Sequence, residues 1–157
     1  VTKVGKGLGL VAGDAMDLIT GWDFSREKDR KKAWKYIREE RPKLIIGSPP
    51  CTMFSVLQHW HKDSPERRKR LDEAKGHMDF MLEVYEHQRS QGWWFLHEHP
   101  HSASSGKLPG VERLSWKPDV QITVADQCMY GLKTEGEKGQ EPKPARKRTR
   151  FMTNCRR

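Results

Sequence analysis

Two short apolar runs on either side of a long helical pattern constrain the fold of this chain more than any other feature. The runs are Leu44–Gly47 and residues 93–96, and each has the length and composition of a buried strand. Between them, Ser64 and Pro65 offer an N-cap and a proline at the first helical position. Apolar side chains then recur at spacings of three and four: Leu71, Ala74, Met78, Met81, Leu82 and Tyr85. The order strand, helix, strand predicts a parallel α/β unit.

Further elements extend this unit in both directions. A strand is predicted over residues 14–19, and Ser25 is expected to cap a helix that runs to about Glu40. Two more strands are predicted over residues 120–124 and 150–153. The predicted fold class is therefore α/β, with a mostly parallel sheet and helices on both faces.

The chain combines low apolar content with a strong positive charge. Of its 157 residues, 34% are hydrophobic and 32% are charged, so the core must come from a few strands and helix faces. Lysine and arginine outnumber aspartate and glutamate, 30 to 21, which leaves a net charge of +9. Such a surface attracts polyanions in a salt-sensitive way. Nucleic acid is the expected partner, unless the basic runs are only solvated faces and tails.

The cysteines and the lack of long apolar segments indicate the compartment. Cys51, Cys128 and Cys155 are widely spaced and odd in number, which favours a reducing environment over a disulfide framework. No apolar run reaches the length that spans a bilayer, and the chain opens without a signal-peptide pattern. We expect an intracellular protein, cytoplasmic or nuclear, with no membrane partner.

The length of the chain fits one domain over residues 1–157. Residues 135–148 are rich in glycine, lysine, proline and arginine, which predicts a flexible basic insertion. Residues 101–118 contain Gly106, Pro109 and Gly110 and predict a loop. The sequence opens at Val1 rather than at a methionine, which favours a truncated piece of something longer.

Residues that can carry chemistry follow two of the predicted strands. The strand Leu44–Gly47 leads directly into Ser48-Pro49-Pro50-Cys51, and residues 93–96 lead into His97-Glu98-His99-Pro100. Open α/β sheets bind their ligands at the carboxyl ends of the strands. The sequence therefore predicts a site that combines the Cys51 thiol with the Glu98 carboxyl group.

The order of these parts resembles the cytosine-5 DNA methyltransferase family. The run Pro49-Pro50-Cys51-Thr52-Met53-Phe54-Ser55 resembles the nucleophile loop of that family, in both the Pro-Pro-Cys tripeptide and its spacing to Phe-Ser. Glu98 after the next strand, and Arg148 and Arg150 just before Phe151, resemble its later motifs. The resemblance spans roughly residues 14–154 and implies a Rossmann-like methyltransferase domain.

The resemblance implies a reaction and a role for each matched residue. A Cys51 thiolate would add to the cytosine ring and make it nucleophilic toward a methyl donor. Glu98 would act as the acid at the ring nitrogen, and Arg148 and Arg150 would help to hold the flipped base. The reaction would be methyl transfer from S-adenosylmethionine to ring carbon five of cytosine, and the nucleic-acid partner would be DNA.

The parts that the family uses to bind its cofactor are only partly present. Asp14 or Asp17 would correspond to the acidic residue that recognises the adenosine, and Ser48, Pro49 and Pro50 would lie against the cofactor. The glycines of residues 5–9 lack the acidic-aromatic lead and the following helix of the family's cofactor loop. The region that recognises the target sequence is also missing. A second copy of the chain, as a homo-oligomer, or a larger parent polypeptide would have to supply these parts.

Two other functions remain open. The chain could be a catalytically inactive, methyltransferase-like module for nucleic-acid binding or assembly, which the missing cofactor loop favours. It could also be a zinc domain built on His-x-His pairs, because His59 and His61, and then His97, His99 and His101, alternate. Our preferred prediction assigns no metal to the site.

Overall fold

A computed structural model describes residues 2–7, 9–60, 62–135 and 141–155, without the side chains of residues 2–4, 59 and 60. The chain divides into two compact units, Val1–Lys43 and Leu44–Arg157, and each is described by itself. Within the described residues, no helix has the length and apolar character needed to cross a membrane.

The first unit holds two helices, α1 (Thr2–Gly7) and α2 (Glu27–Glu40), and no strand among its described residues. The strand predicted over residues 14–19 is wrong, because this stretch bends and ends in a 3-10 turn, Leu18–Thr20. The Asp17 side chain accepts from the Ile19 amide at 2.9 Å, and the Thr20 hydroxyl accepts from the Asp17 amide at 2.9 Å. These local bonds compete with an extended conformation.

Helix α2 ends where the sequence predicts but begins one residue later. Its N-cap is Arg26 rather than Ser25, whose hydroxyl donates to the Asp23 carboxylate at 2.6 Å. Its buried side chains include Ala33 and Ile37. At the end of the helix, Arg41 adopts a left-handed conformation with φ 48° and its amide donates to the Ile37 carbonyl.

The second unit is built on a four-stranded sheet. Its strands are β1 (Leu44–Gly47), β2 (Trp94–Pro100), β3 (Gln121–Asp126) and β4 (Arg148–Thr153), in the order β1-β2-β4-β3. Strand β1 pairs with β2 in parallel, whereas β4 is antiparallel to both of its neighbours. The α/β class is confirmed, but the prediction of a mostly parallel sheet is wrong because β4 inserts in the reverse direction.

Helix α3 (Pro65–Ser90) confirms the long predicted helix between the first two strands. The Ser64 hydroxyl accepts from the Arg67 amide at 3.1 Å, and Pro65 occupies the first turn, as the sequence indicates. The buried stripe of α3 meets the sheet where the Tyr85 ring stacks on Phe95 of β2, with centroids 4.6 Å apart.

A second helix, α4 (Pro109–Ser115), replaces the loop that we predicted over residues 101–118. That prediction is wrong because Pro109 starts the helix instead of breaking it, and Val111 and Leu114 are buried. Val111 lines the same cavity as His97 and Met152 of the sheet. Both α3 and α4 thus cover one sheet face, and we correct the expectation of helices on both faces for this unit. On the opposite face, Leu44, Ile46 and Trp94 are exposed.

A short hairpin precedes β4. The Thr134 amide donates to the Lys143 carbonyl at 2.8 Å, and the Ala145 amide donates to the Leu132 carbonyl at 2.9 Å. The flexible insertion predicted over residues 135–148 falls partly on residues 136–140, which lie outside the described residues. Around that gap, backbone hydrogen bonds pair the two arms of the hairpin.

Candidate active site

The carboxyl ends of three strands lie at the same end of the sheet, which we call the carboxyl edge. Because β4 is antiparallel to both β2 and β3, these two strands share a direction, which β1 also has. The Pro-Pro-Cys loop follows β1, Glu98 lies near the end of β2, and a 3-10 turn, Gln127–Tyr130, follows β3. The register of β1 and β2 pairs Gly47 with His97 and so brings the Cys51 loop beside the end of β2.

Cys51 is half-buried and begins a 3-10 turn, Thr52–Phe54. Its carbonyl oxygen accepts from the Phe54 amide at 3.0 Å. The buried Phe54 ring contacts the His99 ring edge-on, with centroids 6.1 Å apart, and its carbonyl accepts from the Ser104 hydroxyl at 3.2 Å. The loop that carries the thiol is therefore fixed to β2 and to the segment that follows it.

Glu98 is held by two donors on the same carboxylate oxygen. Gln127 Nε2 and Lys147 Nζ each lie 3.2 Å from Glu98 Oε1. Gln127 Nε2 also lies 3.0 Å from Oγ1 of the buried Thr149. The Glu98 side chain is 19% exposed. Among the described residues, Oε2 has no hydrogen-bond partner, so one oxygen of an oriented carboxyl group remains open to a ligand.

His97 and His99 lie on the sheet face opposite to Glu98, because side chains alternate along β2. Their rings stack with centroids 5.5 Å apart. The Tyr85 hydroxyl lies 3.1 Å from His97 Nδ1, and the Ser105 hydroxyl lies 2.8 Å from His99 Nδ1. The result is a buried polar cluster beneath α3 and α4.

The environment of this cluster keeps both rings neutral. Burial, the neighbouring His99 ring and the Arg150 guanidinium lower the pKa of His97 to about 3. Burial also lowers the pKa of His99, although the Glu98 carboxylate and the Pro50 carbonyl favour its protonated form. Burial raises the pKa of Tyr85, so its phenol stays protonated and can donate to His97 Nδ1.

The two arginines take different positions. Arg150 pairs with His99 across the strands and thus lies on the histidine face, where its guanidinium packs closely against Gly106. Arg148 is exposed at the start of β4, and its carbonyl oxygen accepts from the His101 amide at 3.0 Å. The structure does not bring Arg150 together with Glu98, since their side chains leave the sheet on opposite faces.

The residues predicted to hold the cofactor divide between the two units. Ser48 and Pro50 are exposed at the end of β1, and Pro49 is buried. In the first unit, the Asp17 carboxylate caps the turn Leu18–Thr20. Asp14 is exposed, and its amide donates to the Tyr36 hydroxyl at 3.0 Å. Its carboxylate accepts no hydrogen bond among the described residues.

Metal ligation finds no support in the described part of the chain, where no three His, Cys, Asp or Glu side chains are grouped to hold an ion. His97 and His99 share a face, as their spacing predicts, but Tyr85 and Ser105 occupy their Nδ1 atoms. His61 lies outside the described residues, as does the side chain of His59.

Sequence reasoning missed three partners of the site, Tyr85, Ser105 and Gln127. Tyr85 belongs to the periodic apolar pattern of α3, and that pattern does not indicate that its hydroxyl bonds to His97. Ser105 and Gln127 lie in segments that we interpreted as loop and turn. The Gln127 contact with Glu98 depends on strand pairing across the sheet, which no local pattern records. Ser105 reaches His99 through the 3-10 turn Ser104–Lys107, which lies in the predicted loop.

The chain matches no protein-family model, no curated protein and no solved structure.

Proposed function

We propose that this chain is part of a catalytic core that methylates ring carbon five of cytosine in DNA, with S-adenosylmethionine as methyl donor. One observation carries the proposal. Cys51 and Glu98 lie at the carboxyl ends of neighbouring parallel strands, and the Cys51 loop is fixed to β2 through Phe54. Open α/β sheets bind their ligands at this edge.

Cys51 would supply the nucleophile. Its thiolate would add to ring carbon six of cytosine, and the displaced electron pair would make carbon five nucleophilic. After carbon five has gained a methyl group, loss of its proton to a base and cleavage of the bond between Cys51 and carbon six restore the aromatic ring. The Cys51 thiolate would be regenerated and the methyl donor would leave as S-adenosylhomocysteine, so each turnover would replace one hydrogen by one methyl group.

Glu98 would act on the opposite side of the reacting ring. Addition of a thiolate places negative charge on the base, and a carboxyl group at the ring nitrogen relieves it by donating a hydrogen bond or a proton. Gln127 and Lys147 fix Glu98 Oε1 and leave Oε2 for the base. They would be positioning residues, because they touch the carboxyl group and not the substrate.

The cofactor would supply the methyl group. Within the second unit, exposed Ser48 and Pro50 at the end of β1 fit a ligand at this edge. The Rossmann-like character of the fold belongs to the same proposal, supported by three strands that run in one direction.

Specific observations favour a second candidate, a catalytically inactive module that binds nucleic acid. Asp17 is engaged locally, and the glycine-containing segment Thr2–Gly7 forms a short helix instead of a glycine-rich cofactor loop. Such a module would keep the basic surface and the strand edge but would not turn over.

A mechanism-based trap separates the two candidates. Duplex DNA that contains 5-fluorocytosine is incubated with the protein and S-adenosylmethionine, because fluorine at carbon five blocks the elimination step. A denaturation-resistant adduct that is lost in Cys51→Ser and kept in Cys155→Ser supports the enzyme. Salt-sensitive duplex binding without any adduct supports the inactive module, and neither result is expected if both proposals are wrong.

A further inference from the structure

We infer that an exposed surface beside Glu98 binds a nucleic-acid strand whose bases are accessible, either single-stranded or opened at the target. We call it the Tyr130 surface, and it consists of Met129, Tyr130, Leu132, Lys133 and Lys143. The inference rests on the nucleic-acid partner of the proposed function. It adds the place and the mode of contact.

Two residues, Gln127 and Lys147, connect the Tyr130 surface to the candidate site. The turn Gln127–Tyr130 follows β3 directly, at the sheet edge that carries Cys51 and Glu98. Gln127 begins this turn and lies 3.2 Å from Glu98, as does Lys147 at the end of the hairpin. A strand bound on this surface would therefore lie beside the Glu98 carboxyl group.

The apolar part of the surface is unusually open. Met129 and Tyr130 are each 80% exposed, and Leu132 is 36% exposed. The turn ends at Gly131, whose φ of 90° is a conformation that favours glycine. Neither Met129 nor Tyr130 is buried against the sheet, so packing within the unit does not explain them. An exposed aromatic ring is the side chain on which unstacked bases pack.

The charged part lies on the adjoining hairpin. Lys133 and Lys143 are exposed, and in the described part of the chain their side chains have no hydrogen bond or ion pair. By contrast, the neighbouring Arg146 pairs with Asp126 at 3.1 Å, and Lys147 pairs with Glu98. The backbone bridge between Lys133 and Pro144 holds the two arms together. Exposed cationic side chains of this kind suit phosphate contacts.

An exposed aromatic ring next to exposed lysines favours a strand with accessible bases over a closed duplex. In a closed duplex, each base is covered on both faces by its neighbours, so the Tyr130 ring would find no base on which to stack. A base that leaves the stack for chemistry exposes its own face and those of its neighbours. The same surface therefore suits the substrate of a reaction at the Cys51 edge.

The test measures the binding of a fluorescein-labelled deoxyoligonucleotide, free and annealed to its complement, over a range of salt concentrations. Tyr130→Ala should weaken binding to the single strand by about 5-fold or more, without changing the salt dependence, since stacking is worth roughly 1–3 kcal/mol per base. Tyr130→Phe, which keeps the ring, should bind like the unmodified protein. Lys133→Ala combined with Lys143→Ala should flatten the slope of log K against log salt by about 0.7 for each lost phosphate contact.

Matched controls come from the opposite end of β3, before the strand begins. Trp116 is 77% exposed and precedes β3 together with exposed Lys117. Trp116→Ala and Lys117→Ala remove an aromatic ring and a lysine of the same kinds, and binding should not change. Circular dichroism of every variant checks that the fold is kept.

Two results would overturn the inference: equal binding by Tyr130→Ala, the lysine variant and the unmodified protein, or no salt-sensitive binding at all. These results are independent of the covalent trap. If the Tyr130 surface variants lose binding but no Cys51 adduct forms, the inference stands and the enzymatic proposal fails. If the adduct forms and the variants bind normally, the strand lies elsewhere.

Discussion

Gly47 lies where β1 packs against α3. A methyl group at this position would overlap the Tyr85 hydroxyl and crowd the end of Met81. We predict that Gly47→Ala lowers the free energy of unfolding by about 1–3 kcal/mol, as overpacking of a core does. Urea unfolding followed by circular dichroism measures the change.

Gly76 provides the control for this substitution. It lies within α3 with open space around the added methyl group. Gly76→Ala should raise the free energy of unfolding by roughly 0.5–1 kcal/mol, because alanine is the better helix residue. Equal effects at the two glycines would contradict the proposed close approach of Tyr85.

His97 should make the stability of the fold sensitive to mild acid. Its pKa falls from 6.5 to about 3 because of burial, His99 and Arg150, so the unfolded chain binds a proton that the folded chain does not. The contribution of His97 to the free energy of unfolding is complete above pH 6.5. It is lost as the pH falls toward 3, at about 1.4 kcal/mol for each pH unit. His97→Gln should be less stable at neutral pH but should lose less on acidification.

Urea unfolding at several pH values between about 7 and 5 tests this dependence, in a range where carboxyl groups contribute little. The exposed His101 serves as control, and His101→Gln should follow the unmodified protein. Because the pKa of His99 is lowered too, some pH dependence should remain in His97→Gln. An unchanged slope in that variant would show that His97 is not held neutral.

At the scale of elements, an ion pair joins the end of α3 to the segment before β3. Arg89 Nε and Nη2 contact the two carboxylate oxygens of Asp119, at 2.9 and 2.5 Å. Two parallel bonds from one guanidinium are stronger than a single contact and need the planar arginine fork. We predict that Arg89→Lys lowers the free energy of unfolding by about 1 kcal/mol.

The control for this pair lies on the same helix. Lys75 and Asp72 form a single exposed contact of 3.4 Å, and such surface pairs contribute little. Lys75→Arg should leave the midpoint of urea unfolding unchanged. A comparable loss in both variants would mean that Arg89 contributes through general charge and not through its geometry.

The elements that sequence predicts best are those defined by local patterns. Strand β1 and helix α3 carry their own signals, an apolar run and a cap followed by a periodic stripe. The stretch over residues 14–19 fails because Asp17 and Thr20 form local bonds that override its strand pattern. Helix α4 departs from the loop prediction because Pro109 stands in the first turn of the helix, where a proline does not break it.

The same distinction applies to the candidate site. Strand ends predict that Cys51 and Glu98 lie at one edge, since parallel neighbours share it. The separation of Glu98 from Arg150 depends on the register of β2 and β4, in which Arg150 meets His99 and Glu98 meets Phe151. Such pairings join residues about fifty positions apart, and no local pattern encodes them.

For the molecule as a whole, we predict that the second unit folds by itself. Its sheet, α3 and α4 pack around core residues such as Tyr85, Phe95 and Met152, which all lie in Leu44–Arg157. A fragment of residues 44–157 should therefore unfold cooperatively in urea, with near-ultraviolet circular dichroism of its packed aromatic rings. A fragment without a cooperative transition would contradict the division of the chain into these units.

The reverse strand has a consequence for how this protein is made. Strand β4 lies between β2 and β3, so β3 has no strand partner and β2 has only β1 until residue 153 has left the ribosome. During synthesis, the nascent chain therefore exposes at once the two strand edges that β4 later covers, one on β2 and one on β3. Insertion of β4 closes both in a single late step, and we expect the sheet to be completed after translation of this region rather than during it.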